Sequence, residues 1–340
     1  MTRPGASTED EPRRFSAGAE DAGQRLDLYL ARRLDASRSR VQRWIRDGLV
    51  SIDGAAVKRP SQAIAAGETV ECRAEPPSAP GALEPQSGPL RVLWEDDQLI
   101  VVDKSPGVAV HPGAGRGDRT LVNFLLERYP EIAQVGHSRR PGIVHRLDIG
   151  TSGVLAVART AEAYQRLTAA FAAREVDKRY LAIVYGRPEP PSGEIDATIA
   201  RDPRERKRMT VTRPDRAARA RGRPALTLYR TLATGGGLSA VELDLRTGRT
   251  HQIRVHLKSR GFPIVGDPVY GEARWRAFPP ERRRRLETFP RPALHAWLLA
   301  VPHPSTGASV CFEAPVPADL RELWAEITAM PIPRPGRMSP

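Results

Sequence analysis

Three short segments carry side chains whose types and spacing could do chemistry. In GIVHRLDIGTSGVLAVAR, residues 142–159, Asp148 stands in a turn between two apolar runs, just after Arg146 and ahead of Gly150, Thr151, Ser152 and Gly153. A carboxylate beside a guanidinium is held ionised, and an ionised, partly desolvated carboxylate is a competent nucleophile. Composition alone favours a plainer role, in which Asp148 caps its turn by accepting backbone N–H bonds. In LRTGRTHQIRVHL, residues 245–257, a strand ends at Thr247-Gly248 and a helix begins near Thr250. Arg249 falls at that junction, where side chains project into a cleft, and Arg254 follows. The plainer reading of the two is a basic pair that touches phosphate. His251 and His256 are five residues apart, not the four of a helical zinc site, and no acid–cysteine set completes one, so no metal is expected. In Lys178-Arg179-Tyr180, at the start of a strand, Tyr180 either presents a flat ring to a base or serves as ordinary sheet packing. No glycine-rich phosphate loop and no Ser/His/Asp order is present, and Gly235-Gly236-Gly237 reads as a turn.

The elements that must position these residues can be read from periodicity. Residues 1–20 are poor in apolar side chains and read as a disordered tail. Residues 21–74 read as a compact unit. Leu26, Leu30 and Leu34 mark one amphipathic helix, and Val41, Trp44 and Ile45 mark a second, capped by Ser37 or Ser39 and stopped by Gly48. Asp53-Gly54 then signals a hairpin, and GETVEC a further strand. Residues 75–90 are Pro-rich and read as a linker. Residues 91–326 alternate strands (RVLWEDDQLIVVDK, GVLAVAR, KRYLAIVYG, LSAVELDLRTG, ALHAWLLAV, ASVCFEAPV) with helices (TLVNFLLERYP, TAEAYQRLTAAFAAREV, THQIRVHLKSRG), which predicts a mixed α+β core. Residues 327–340, with four prolines, should fray.

Charge narrows the class of partner. The 340 residues carry a net charge of +13, and the 53 basic residues include only five Lys. Residues 32–46 hold six Arg against one acid, residues 201–223 ten basic residues against three acids, and residues 274–291 seven Arg against two acids. The remainder of the chain is slightly acidic. Basic charge concentrated in patches suits a polyanion, and arginine binds phosphate bidentately and stacks on bases. No run of ~18 apolar residues predicts a membrane span, and no apolar stretch after the first charges predicts a secretory signal. Cys72 and Cys311 are too few and too far apart for a disulfide framework or a cysteine zinc cluster, which fits a reducing cytosol.

HRLD followed by TSG, then KRYLAIVYG, TGRTHQIRVHL, GFPIVGDPVYG and ALHAWLLAVPHPSTG, together with VDKSPGVAVHPGAG at residues 102–115, resemble the RluA/RluD family of RNA pseudouridine synthases. GQRLDLYLARRL and SRSRVQRWIRDGLVSIDG resemble the S4 RNA-binding domain that many members carry in front. The likeness runs from about Gln24 to about Pro317, and its motifs place it nearest the RluD-like branch that modifies large-subunit ribosomal RNA. It implies a mixed, largely antiparallel sheet with a central cleft, preceded by a small α/β S4 domain. Asp148 would be the catalytic aspartate, Tyr180 the tyrosine that stacks on the target base, and Arg249 the arginine that pairs with the carboxylate. It implies conversion of uridine to pseudouridine by base flipping, with no metal or organic cofactor. The expected partner is RNA, most naturally ribosomal RNA in a subunit or precursor, handled by a cytoplasmic monomer. Arg38, Arg40, Arg43 and Arg46 of the second helix, with Arg146 and Arg254, would contact RNA. Ile149-Gly150 depart from the lysine-plus-acid pair common after HRLD in the family. The alternatives are a transfer RNA or different ribosomal target, or an RNA-binding assembly protein without catalysis. A zinc deaminase is disfavoured because no Cys-x-x-Cys is present.

Overall fold

The computed structural model describes residues 12–34, 38–73, 83–113, 119–205, 208–212 and 222–336. The chain divides into two compact units, Met1–Ala82 and Leu83–Pro340.

In the first unit, helices Leu26–Arg33 and Arg38–Arg46 bury Leu26, Tyr29, Leu30, Val41, Trp44 and Ile45 against a small antiparallel sheet. The sheet runs Arg13–Ser16, Thr69–Cys72, Val50–Ile52, Ala55–Ala56. The hairpin at Asp53-Gly54 forms as expected, with positive φ at both residues. One expectation fails here. Arg13–Ser16, read as part of a disordered tail, is an edge strand paired with Thr69–Cys72. Its pairing comes from backbone hydrogen bonds while its side chains stay mostly exposed, so no apolar alternation marked it. Ser37 lies outside the described residues.

The second unit is built on a ten-stranded sheet. Its order is Met209–Thr212, Ser192–Arg201, Arg223–Gly235, Leu238–Leu245, Asp177–Tyr185, Leu294–Pro302, Ser152–Ala158, Leu99–Lys104, Arg91–Glu95, with Ser309–Glu313 also paired to Leu294–Pro302. All neighbouring pairs are antiparallel except Leu294–Pro302 with Ser152–Ala158, which is parallel. The parallel contact sits directly after Asp148. There Gly153, at φ +118, lets the chain pass so close to its neighbour that a Cβ would lie 2.1 Å from the Ala296 carbonyl oxygen. The strand Ser152–Ala158 is buried along its whole length, and helix Ala161–Ala173, capped by the Thr160 hydroxyl at 3.1 Å from the Ala163 N–H, follows it.

Two boundaries also differ from expectation. Residues 83–90, read as linker, belong to this unit: the Gln86 N–H donates to the Asn123 carbonyl, the Asn123 amide donates to the Glu84 carbonyl, and Leu83 and Leu90 pack on the core. Proline excluded regular structure there, but side-chain and isolated backbone bonds replace it. After the helix Ala318–Ile327, the chain stays attached, because Trp324 Nε1 donates to the Met330 carbonyl, Ile332 packs on the core and the Gly336 N–H donates to Glu242. Among the described residues, no helix is long and apolar enough to cross a membrane.

Candidate active site

Asp148 opens the turn that feeds the buried strand Ser152–Ala158, and its carbonyl accepts the Thr151 N–H at 3.0 Å. The turn is held from below by two basic side chains. Lys104, only 1% exposed at the end of strand Leu99–Lys104, donates to the carbonyls of Ser105 and Val108 at 2.9 Å and of Ile149 at 3.3 Å. Arg291 makes a two-pronged contact with Asp319 and reaches the Gly150 carbonyl. The side chain of Asp148 is thereby turned outward, about one-fifth exposed, into a cleft of ≈ 330 Å³.

The opposite wall comes from the loop after Leu238–Leu245 and from helix Gln252–Ser259. Gln252 fixes the start of that helix. Its side-chain oxygen accepts from the Thr247 hydroxyl and the Arg249 N–H, and its amide donates to the Leu226 carbonyl and the Thr227 hydroxyl. Two residues later, Arg254 is 6% exposed and spans two carboxylates. Nε and Nη2 grip Asp267 at 2.7 and 2.8 Å, and Nη1 donates to Asp148 at 3.0 Å. Asp267 is itself fixed by the Val269 and Tyr270 N–H groups. Burial works against the charge on Arg254, but Asp267 and then Asp148 outweigh it and hold its pKa above the ordinary value. A charge-assisted, fork-shaped contact of this kind fixes direction as well as charge.

Tyr180 lies on the floor, on strand Asp177–Tyr185. Burial, and secondarily the charge of Asp148, raise its pKa, so it stays a neutral phenol. Lys178 shares its face and the cleft, with a pKa lowered by burial. His145 closes the inner end. It stacks on Phe171 with ring centres 4.6 Å apart, accepts the Ala156 N–H at Nε2, and is pushed down to about 3 by burial and Lys178, so it is neutral. Lys104 is pushed down to about 7, by burial above all, with Asp148 pulling the other way. The arrangement can keep one carboxylate aimed by a guanidinium, beside an aromatic floor, in a cleft large enough for a small planar group.

The structure brings Asp148, Tyr180, Arg146, Arg249 and Arg254 to one cleft. It corrects two assignments. Arg249 does not pair with Asp148: its guanidinium Nε donates to the Pro224 carbonyl at 3.3 Å, and the ion pair is made by Arg254, expected as an RNA contact. The left-handed backbone at His251 starts the helix only at Gln252, which turns Arg254 inward and leaves Arg249 on the rim. Arg38 is also not a free phosphate ligand, because its Nε donates at 2.9 Å to Asp27. Asp27 is fully buried, also accepts from Arg25 and Gln42, and those hydrogen bonds overcome its burial to hold its pKa well below the carboxylate range. Arg46 is exposed, whereas the side chains of Arg40 and Arg43 lie outside the described residues, as do residues 206–207 and 213–221 of the basic stretch and residues 114–118 after the HPG segment. His251 and His256 serve different partners, Tyr270 and Thr227. Sequence reading missed Lys104, Asp267, Tyr270 and Arg291. The first three stand in the VDKSPG and GDPVYG segments it had noticed, but a buried ion pair leaves no periodic signal.

Comparison with known proteins adds the following. Residues 98–259 match the family described as RNA pseudouridylate synthase, and residues 24–70 match the S4 domain. A Nitrosomonas europaea protein named ribosomal large subunit pseudouridine synthase D is 42% identical over 91% of this chain and 86% of its own length. The Escherichia coli K12 protein of the same name is 40% identical over 88% of this chain and 90% of its own. A Chloroflexus aurantiacus protein named only as an RNA pseudouridine synthase is 46% identical over 88% of each chain. Among solved structures, human RNA pseudouridylate synthase domain containing 1 superposes with a TM-score of 0.54 at 29% identity, covering 74% of this chain and 99% of its own.

Proposed function

From a chain that belongs to the RNA pseudouridylate synthase family and carries an S4 domain, and that therefore isomerises uridine in RNA, we infer a large-subunit ribosomal RNA substrate. The support for that substrate is the likeness over about nine-tenths of the chain to relatives named for it. The observation that carries the chemistry is the Asp148–Arg254 ion pair facing the same cleft as Tyr180.

In this reading the target base leaves its stack and enters the cleft over Tyr180. Asp148, aimed by the Nη1 of Arg254, meets the nucleoside. The bond from ribose C1′ to N1 breaks, the uracil turns, and C1′ bonds to C5. One proton leaves C5 and one is gained at N1, so the reaction is a net isomerisation that needs no redox partner. Arg146, exposed at the mouth, and Arg249 on the rim contact the RNA backbone. The reading extends to a monomer at work in the cytoplasm, without metal or organic cofactor.

The test is incubation with protein-free large-subunit RNA and with transfer RNA, followed by chemical labelling of pseudouridine read by reverse transcription. Labelled sites are expected in the ribosomal RNA. Asp148→Asn should lose all detectable product while its RNA affinity stays within about twofold, because phosphate contacts supply most of the binding. Labelling of transfer RNA alone would overturn the substrate, and product from the Asn variant would overturn the role of Asp148.

A further inference from the structure

His251 stands in the cleft in a conformation that helix initiation does not require. Its backbone is left-handed, φ 56 and ψ 20, immediately before helix Gln252–Ser259. Glycine adopts that region freely; asparagine, aspartate and histidine enter it more often than other residues, yet at a cost of about 1 kcal/mol. Its side chain explains what the strain maintains. His251 Nδ1 lies 2.9 Å from the Tyr270 hydroxyl, with the two rings edge to face at 5.6 Å. That hydroxyl accepts the Met209 N–H at 2.7 Å. Tyr270 is 2% exposed, and its ring lies 5.0 Å from the Arg254 guanidinium that holds Asp148.

The hydrogen bonds fix the tautomer. The buried Tyr270 hydroxyl hydrogen needs an acceptor, and among the described residues His251 Nδ1 supplies one. Nδ1 is then unprotonated. Burial, and the cations Arg254 and Arg146, keep the ring neutral against the pull of Asp148 and Asp267, so the remaining hydrogen sits on Nε2. Nε2 has no hydrogen-bond partner among the described residues and is not among the buried orphan atoms, and the residue lines the cleft with Asp148 and Tyr180.

We propose that His251 is a substrate-contacting residue whose Nε2–H donates to an oxygen of the flipped uridine, with Tyr270 and the Met209 N–H as the strut that aims it. The proposal rests on the cleft being the uridine site. Acceptors of the required kind are the uracil carbonyls, the ribose 2′-hydroxyl and the adjoining phosphate.

Two variants separate this role from a merely structural one. Asparagine tolerates the left-handed backbone and places its amide near the position of Nδ1, toward Tyr270, whereas glutamine places its amide near that of Nε2. Single-turnover pseudouridine formation and RNA affinity are measured for wild type, His251→Asn and His251→Gln, with thermal melts to verify folding. His251→Asn should be slowed by about 10- to 100-fold with affinity unchanged within about twofold, and His251→Gln should recover to within about threefold of wild type. If His251 only braces Tyr270, the order reverses. An Asn variant at wild-type rate, or a Gln variant no better than Asn, overturns the proposal. Substrates with sulfur replacing one uracil oxygen or one phosphate oxygen, or lacking the target 2′-hydroxyl, identify the acceptor, because the wild-type advantage over Asn vanishes for that substrate. An advantage that survives all of them also overturns the contact. Failure of wild type to make pseudouridine would instead overturn the functional reading itself.

Discussion

Arg254 does two jobs with one guanidinium, gripping Asp267 with two nitrogens and Asp148 with a third. A lysine has a single ammonium and cannot reproduce both contacts at fixed angles. Arg254→Lys should therefore lower the single-turnover rate by about 100-fold or more, whereas Arg249→Ala should cost less than about tenfold and act on RNA affinity. Equal effects on rate would show that the buried arginine has no special role in serving the carboxylate. Lys104 makes a prediction of a different kind. Its folded pKa, about 7, lies below the unfolded value of ~10.4, so between those values the unfolded chain binds more protons. Stability gained from this group then rises with pH, by at most about 1.4 kcal/mol per pH unit, and is absent below about pH 7. Denaturant unfolding at pH 7 and pH 9.5 should show a steeper rise for wild type than for Lys104→Met, and parallel slopes would refute the buried, neutralising lysine. At this scale the sequence announced Asp148 and Tyr180 through their motifs. It could not say which of two arginines in one motif turns inward, because that depends on one backbone angle at His251.

Elements with an apolar rhythm were legible. The helices at Leu26–Arg33 and Ala161–Ala173 and the strands at Ser152–Ala158, Asp177–Tyr185 and Leu294–Pro302 all occur where periodicity put them. Arg13–Ser16 and the ordered residues 83–90 were not legible, since backbone hydrogen bonds rather than apolar spacing hold them. The long strands Ser192–Arg201 and Arg223–Gly235 escaped for a related reason: a basic, Pro-containing segment lies between and within them, and their side chains are only partly buried. Strand order lies further out of reach. Among the described residues the one parallel contact, beside Asp148, depends on Gly153, which combines a left-handed φ of +118 with a neighbour's carbonyl 2.1 Å from where a Cβ would sit. Gly107 shares the positive φ, at +83, but nothing lies within 4 Å of its would-be Cβ. Gly107→Ala should therefore cost about 1 kcal/mol, the left-handed penalty alone, and Gly153→Ala about 3 kcal/mol with loss of activity. Thermal melts of the two variants measure the difference, and equal costs would remove the crowding argument.

Across the whole molecule, the net charge of +13 comes from three basic stretches set in a slightly acidic remainder, so attraction for RNA is local and the rest of the surface does not compete. Each arginine that neutralises one phosphate releases counterions, and the logarithm of the affinity should fall linearly with the logarithm of salt concentration. The exposed arginines are not equivalent in this respect. Arg46 is exposed and makes no ion pair among the described residues, whereas Arg38 is spent on Asp27, where it ties the two helices of the first unit together. Arg46→Ala should flatten the salt slope by roughly 0.7 to 0.9, the share of one phosphate, with the melting temperature unchanged. Arg38→Ala should do the reverse, lowering the melting temperature by leaving part of the buried Asp27 charge unmatched while the slope stays near that of wild type. Affinity titrations of a structured RNA at several salt concentrations, paired with melts of both variants, decide the matter. A slope indifferent to Arg46 but sensitive to Arg38 would mean that Arg38 leaves Asp27 to meet RNA, and that the helix pair is held by its apolar face alone.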